Sequence, residues 1–590
     1  MPWRAFNLSG RDPSPTEAHK SIDRVPSSSP AGAVRGIEVL DQRNGEVRHP
    51  SIVLVGIGGG GSRILSDCVD QILKYQVVDR YQCLARAIHA NSDRPLTFIV
   101  DTSSDPTKEG FFENIPPSQK ISLSQTARGR SRGAGGRPGR AAKVMLNNDV
   151  VENLAKNLYK PISDIEPAIV VIIHTADGGT GGGLTPEILQ HLGYYLPMST
   201  MFWVFTVLPQ RNALALKGPR TVAPVMGRLL KIARQISTRD FTNIPYQCRE
   251  TIDKSITRRP TDQSYEFQHS RVAIFPVSNQ HFAQCWKGKV PPGAAPKAAS
   301  GGGGGAAGGA AGDLKEIREE VLNPFPIELL SQALYPFLKY AMADPDEQAW
   351  MQENWPLGPI DIPDIMAGCT PERPFVIPHL WIDPTVEDGG ATDAVLDDLV
   401  GGVIDLNQID VIGDDGIPDL FTFRGSSAPL FEHRTTSVYC IPIYPDGSRY
   451  FDTISDFVGD VWFPKLSARL KYITGREGAK VGVISHSANL KPQPIPGPEK
   501  GGKLGFQDGL LVTLLFGAVP EDLPVWLEAA WDIVDSYKTD DSWEISFYDA
   551  NDWLREVATY CGWSEWPSKR YMRLGPTGAL EPIPVPPKEG

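Results

Sequence analysis

The amino-acid sequence predicts an α/β protein: a large domain built on a parallel sheet, a central helix, and a smaller α/β domain towards the C-terminus. Apolar segments at 52–55, 97–101, 168–174, 202–207 and 272–276 alternate with helical patterns. This alternation is typical of a parallel sheet covered by helices on both faces. Glycine runs follow two of these segments directly. Because such sheets bind ligands at the carboxyl ends of their strands, the glycine runs are candidate ligand loops.

The first glycine loop follows the segment at 52–55 and leads into a helical pattern. Its candidate phosphate contacts are Gly56, Gly58, Gly59, Gly60, Gly61 and Ser62. Glycines let backbone N–H groups approach a phosphate closely, and the positive end of the following helix adds to the attraction. One such loop is weak evidence, since a glycine run after a strand is also an ordinary tight turn.

Two further glycine loops lead into helical patterns. The second contributes Gly133, Ala134, Gly135 and Gly136 as candidates, and the third contributes Gly178, Gly179, Thr180, Gly181 and Gly182. The third follows the apolar segment at 168–174 without a break. Three loops of this kind favour a phosphate-binding site over three unrelated turns.

The order and sequences of these loops resemble those of the tubulin/FtsZ superfamily of GTPases. The family's signature loop reads GGGTGTG or GGGTGSG, and the third loop matches it except at two positions. Asp177 replaces the first glycine and Gly182 replaces the second hydroxyl residue. The second loop resembles the family's loop near the γ-phosphate, with Arg137 where Asn is usual. Asp101 ends the segment at 97–101, where the family has an acidic residue near the nucleotide's magnesium.

The resemblance implies GTP or GDP and Mg²⁺ as cofactors, and a second copy of the chain as partner in a head-to-tail filament. The segment at 358–364 resembles the family's catalytic loop NxDxxD, with Asp361 and Asp364 at its acidic positions and Pro359 in place of Asn. In the family this loop enters the nucleotide site of the next subunit, so hydrolysis depends on assembly. By pattern alone, the same segment is also an ordinary solvated turn.

Contacts with the nucleoside are less well defined by the sequence. Arg220 lies in a segment that resembles the family's ribose contact but lacks its Glu, and Asn279 follows the segment at 272–276 as a family base or ribose contact does. Phe325 or Tyr335 could stack on the base. The preference for guanine over adenine therefore follows from the resemblance alone.

Two alternatives remain open at this stage. A filament or scaffold that binds nucleotide with little or no hydrolysis is suggested by Asp177, Gly182 and Pro359. A Rossmann-type dinucleotide enzyme is the more distant alternative, because 56–61 satisfies G-x-G-x-x-G after a strand. That fingerprint expects an acidic residue about twenty positions later at the end of a second strand, and it leaves the third loop unexplained.

Composition limits the remaining possibilities. The chain has 590 residues, a net charge of −12 and seven cysteines without CxxC spacing, which argues against a disulfide framework or a zinc site. The arginines between 128 and 140 lack interleaved aromatics, so no nucleic-acid partner is predicted. No apolar run is long enough to span a membrane, and a cytoplasmic location is expected.

Six segments are predicted along the chain. They are a flexible N-terminal segment (1–48), the nucleotide-binding domain (49–285), a Gly/Ala-rich linker (286–312), the central helix region (313–358), the smaller α/β domain with the catalytic loop at its start (359–530), and a C-terminal extension (531–590). The terminal segments are candidate binding sites for an adaptor.

Overall fold

A computed structural model gives the architecture of the chain. It describes residues 50–76, 79–89, 95–108, 110–124, 134, 136–210, 218–256, 270–279, 323, 325–354, 362–366, 368–382, 437–441, 482–485, 495–500, 503–507, 510–517, 522–532, 547–561, 572–574 and 580–582. The linker predicted at 286–312 and the segment at 1–48 lie outside these ranges.

A six-stranded parallel sheet forms the centre of the large domain. Its strands are β1 (Ile52–Ile57), β2 (Thr97–Asp101), β3 (Lys120–Ser122), β4 (Ile169–Thr175), β5 (Met201–Leu208) and β6 (Val272–Ser278), in the order β3-β2-β1-β4-β5-β6. The five strands predicted from the sequence are confirmed. The sheet gains β3 at its edge, a three-residue strand with two polar residues that has no detectable apolar pattern.

Helices cover both faces of this sheet. Those that follow its strands are α1 (Gly58–Lys74), α2 (Asp79–Ile88), α3 (Pro138–Val144), α4 (Asn148–Leu154), α5 (Lys160–Ile165), α6 (Gly179–Tyr195), α7 (Gly218–Thr238) and α8 (Tyr246–Ser255). A π-helical turn at Ala155–Tyr159 joins α4 to α5. Alternate residues of each strand enter opposite cores: Val53 and Val55 pack towards α6 and α7, whereas Ile52 and Leu54 pack towards α1 and α2.

The predicted central helix is broken into two. Its described parts are α9 (Phe325–Ala333) and α10 (Tyr335–Met342), followed by α11 (Pro345–Asn354) and α12 (Ile362–Met366). The break at Leu334 precedes Pro336, which lies in the first turn of α10, where a missing N–H leaves no hydrogen bond unmade. A buried ion pair between Arg80 and Glu328, with 2.8 Å between Nη2 and Oε1, joins α2 to α9.

The predicted smaller α/β domain contains a four-stranded sheet. Its strands are β7 (Val376–Ile382), β8 (Ser437–Ile441), β9 (Gly482–Ser485) and β12 (Leu510–Phe516), in the order β7-β12-β8-β9. Two hairpins were not predicted: β10 (Ile495–Lys500) with β11 (Lys503–Gln507), and β13 (Met572–Leu574) with β14 (Leu580–Pro582). Phe375, just before β7, bridges to Ile274 of β6 and so connects the two sheets.

Two C-terminal helices belong to the helical layer of the large domain. They are α13 (Asp522–Asp532) and α14 (Phe547–Cys561). Trp526 and Leu554 are fully buried in the same core as the strands and α7. Part of the predicted C-terminal extension therefore packs directly on the nucleotide-binding domain. Among the described helices, none has both the length and the apolar character that crossing a bilayer requires.

Candidate phosphate-binding site

The first and third glycine loops meet at the carboxyl ends of β1 and β4. A Cβ placed on Gly58, whose φ is +75°, would lie 2.8 Å from the backbone N of Gly181. Helix α1 begins at Gly58 and α6 at Gly179, and neither has an acidic residue in its first turn. Two positive helix ends, whose first N–H groups have no partner within their own helix, are therefore brought together without a neutralising carboxylate in either turn.

The glycines of these loops have different roles. A Cβ on Gly61 would lie 2.2 Å from the carbonyl oxygen of Ile173, so this glycine lets α1 pack directly on the backbone of β4. Gly59 is exposed, and its Cβ would meet only Asp101 Oδ2, at 3.8 Å. Gly61 therefore serves packing, whereas Gly59 leaves the edge of the sheet open to a ligand.

The second loop packs against the third. A Cβ on Gly179 would lie 2.8 Å from the backbone N of Gly136 and 2.9 Å from the Cβ of Ala134. Gly133 and Gly135 lie outside the described residues. The three loops that the sequence singled out thus come together at one edge of the sheet.

A buried carboxylate and two hydroxyl groups lie beside these loops. Thr180 Oγ1 donates a hydrogen bond to Asp101 Oδ1 at 3.3 Å, and the hydroxyl groups of Thr102 and Thr180 are 2.6 Å apart. Burial raises the pKa of Asp101, although hydrogen bonds from Ser103 and Thr180 partly offset this. The sequence analysis did not single out Thr102; its position directly after the acidic residue that ends β2 is the signal that could have identified it.

Comparison with known proteins assigns this part of the chain to a family. A family model described as the Tubulin/FtsZ family, GTPase domain, matches residues 51–244, which include β1 to α7 and all three glycine loops. This region is a tubulin/FtsZ-family GTPase domain. The strand order also occurs in dinucleotide-binding folds, so the family model, rather than topology, separates the two interpretations.

Solved structures include a distant match to CetZ1 from Haloferax volcanii, described as a GDP-bound monomer. The TM-score is 0.40 at 13% sequence identity, and the match covers 82% of this chain and 99% of that chain. No curated protein sequence matches the chain.

The GTPase domain departs from the family's signature loop at Gly182, which lies in a closely packed position. A Cβ there would lie 3.0 Å from both the carbonyl oxygen of Ala176 and Cγ2 of Val225. Val225 belongs to α7, which presses on the loop at this point. A serine or threonine at 182 would fit only if Val225 or the loop shifted slightly.

The remaining predicted site residues of the GTPase domain and the catalytic loop are placed as follows. Ser62 is fully buried, and its hydroxyl has no hydrogen-bond partner among the described residues. Asn279 is half-buried directly after β6 at the carboxyl edge. The backbones of Arg220 and Asp364 lie in α7 and α12, but their side chains, and all of Asp361, are outside the described parts.

Three other residues serve the core of the domain. His174 is fully buried, its Nε2 is 2.9 Å from Thr206 Oγ1, and burial lowers its pKa to about 3, which keeps the ring neutral. Phe325 and Tyr335 are only 2% and 5% exposed. Both rings pack in the core beside the sheet, and the stacking of one of them on the base stays a prediction.

Proposed function

We propose that the protein binds GTP at the carboxyl edge of the six-stranded sheet and hydrolyses it when assembled head to tail. The observation that carries this proposal is the contact of Gly58 with Gly181, which brings two helix N-termini to one point at an edge left open by Gly59. A nucleotide's phosphates carry the negative charge that such an arrangement attracts.

The residues around the loops suit a magnesium nucleotide. The backbone N–H groups at the start of α1 and α6 would bind phosphate oxygens. Asp101 and Thr180 offer carboxylate and hydroxyl oxygens, the ligand type that Mg²⁺ prefers, within one hydrogen-bonded cluster. Bound Mg²⁺ would neutralise charge on the phosphate oxygens during transfer.

In this proposal, hydrolysis needs a second copy of the chain. The loop with Asp361 and Asp364 would enter the site of the next subunit and orient the attacking water. A contact between two different surfaces of the same chain repeats without closing and so produces filaments. We place these filaments in the cytoplasm, with the terminal segments available to an adaptor.

Sedimentation of the purified protein tests the proposal directly. With Mg²⁺ and GTP the protein is expected to pellet and to release phosphate, whereas with GDP, ATP or no nucleotide it should stay in the supernatant. Phosphate release should rise more steeply than linearly with protein concentration, because each active site needs two chains. Failure to bind any of these nucleotides would overturn the proposal.

A second candidate function is a filament that binds GTP and hydrolyses it little or not at all. Gly182 favours it, because the chain lacks the hydroxyl group that the signature loop usually has at this position, and a Cβ there would lie 3.0 Å from Cγ2 of Val225. Pelleting with GTP in the absence of phosphate release would support this function over the first.

Replacing Asp101 by Asn should separate binding from stability. Its raised pKa means that the ionised carboxylate costs folding free energy at every pH above the ordinary Asp pKa, and Asn removes that cost. We expect the variant to unfold at the same or a higher temperature and to lose about tenfold or more in affinity for Mg²⁺-GTP. Thermal unfolding and a nucleotide titration with and without Mg²⁺ measure both effects; equal affinity in the presence of Mg²⁺ would remove Asp101 from the site.

A further inference from the structure

Helix α7 lies between the signature-loop helix α6 and the C-terminal helix α14. On one side, Cγ2 of Val225 would be 3.0 Å from a Cβ on Gly182 of the signature loop. On the other side, a Cβ on Gly227 would lie 1.9 Å from the carbonyl oxygen of Trp553. Gly182 therefore allows α7 to pack closely on the signature loop, and Gly227 allows α14 to pack closely on α7. Because such interfaces have no free space, a displacement of α14 would be transmitted to α7 and the loop.

Arg228 connects the same three helices through its charge. Its guanidinium group forms an ion pair with Glu187, which lies on α6 about one turn after the signature loop, and it also lies over the ring of Trp553, 5.1 Å from the centroid. The side chains of Arg228 and Glu187 are 19% and 16% exposed, so solvent screens the pair only partly. An arginine held between a carboxylate and an aromatic ring has few alternative rotamers.

Two further ion pairs hold α14 on α7. Lys231 Nζ is 2.6 Å from Asp552 Oδ2, and Arg234 makes a two-fold contact with Glu556 at 3.1 and 2.8 Å. The basic residues recur every three positions, which places them on one face of α7. These pairs are more exposed than that of Arg228. Helix α14 is thus attached in part by charges that solvent and salt weaken.

We propose that Arg228 is a positioning residue for the nucleotide site and that the docking of α14 on α7 is coupled to nucleotide binding. The inference rests on the proposed function, since it takes the signature loop to be the phosphate contact. Docked α14 holds Arg228 against Glu187 and so fixes the start of α6. By reciprocity, bound nucleotide must then stabilise the docked position of α14 by the same factor.

A charge reversal and its compensation test this coupling. Glu556→Arg should add a third cation beside Lys231 and Arg234 and so weaken the docking of α14. We expect the affinity for GTP to fall by about tenfold. The double variant Arg234→Glu with Glu556→Arg restores opposite charges and should restore the affinity. Glu250→Arg, which breaks the exposed pair of Glu250 with Lys254 on α8, is the matched control and should bind GTP as the wild type does.

Amide hydrogen exchange provides a readout that a purely structural role would not change. Adding GTP to the wild-type protein should slow exchange in 547–561, and Glu556→Arg should speed exchange in 178–183 even without nucleotide. If the wild type binds GTP while exchange in α14 stays constant, or if folded Glu556→Arg binds GTP normally, the coupling is overturned and the proposed function stands.

The test has a defined result even if the wild type binds no nucleotide or the variant does not fold. If the wild type binds no nucleotide, the proposed function fails, and the nucleotide-free comparison still tests whether docked α14 positions the signature loop: unchanged exchange in 178–183 would overturn that role. If Glu556→Arg does not fold, Lys231→Glu repeats the test at a partly exposed pair. A folded variant with faster exchange in 547–561 and normal GTP affinity would equally overturn the proposal.

Discussion

Replacing Gly61 by Ala is expected to destabilise the GTPase domain by about 2 kcal/mol or more, because the added methyl group has no space. Its Cβ would lie 2.2 Å from the carbonyl oxygen of Ile173 and 3.1 Å from the Cα of His174. Both are backbone atoms of β4, which pairs with β1 on one side and β5 on the other, so the strand cannot yield without losing hydrogen bonds. Thermal unfolding of the variant beside the wild type measures the loss.

Gly59→Ala is the matched control, two residues earlier in the same helix turn. Its Cβ would meet nothing nearer than Asp101 Oδ2 at 3.8 Å, and Ala is a better helix former than Gly. The variant should therefore be as stable as the wild type or more so. Its methyl group, however, points into the open edge and should lower the affinity for GTP by about tenfold or more, measured by titration.

The pair of variants separates packing from binding. A wild-type unfolding temperature for Gly61→Ala would contradict the close packing of α1 on β4. Normal GTP affinity for Gly59→Ala would contradict the placement of the phosphates at this edge, even if the protein bound GTP elsewhere.

The sequence predicted the parts of the fold that depend on local signals. The main strands are continuous apolar runs because both of their faces are buried. The loop after β1 is rich in glycine because only glycine permits the contacts of Gly58 with Gly181 and of Gly61 with Ile173 at the end of β4. Strand β3 was missed because a strand of three residues, two of them polar, shows no periodic pattern of apolar residues. The central helix is broken just before Pro336, since a proline cannot continue a helix without loss of a hydrogen bond.

Contacts between residues far apart in the chain could not be read from the sequence. Thr102 meets Thr180 across 78 positions, and Lys231 meets Asp552 across 321. No sequence separation predicts either contact, because the packing of whole helices and strands brings these residues together. The packing of Val225 on Gly182, which departs from the signature loop, belongs to the same class.

The double substitution Asp361→Ala and Asp364→Ala is expected to have the largest effect on turnover. If these carboxylates orient and polarise the attacking water, their loss should lower phosphate release by about 10²- to 10⁴-fold. GTP binding and GTP-dependent pelleting should persist, because the phosphate loops of each chain are untouched. Asp346→Ala, which removes an exposed carboxylate from the first turn of α11, is the control and should keep full turnover.

Mixing two inactive variants tests whether catalysis needs two chains. One partner carries Asp361→Ala and Asp364→Ala, and the other carries Gly59→Val, which should block the open edge more completely than alanine. In a head-to-tail contact, the intact catalytic loop of the second chain can enter the intact nucleotide site of the first, so the mixture should regain phosphate release that neither variant shows alone. No recovery, with both variants folded and present in the same pellet, would mean that these carboxylates act within one chain or not at all.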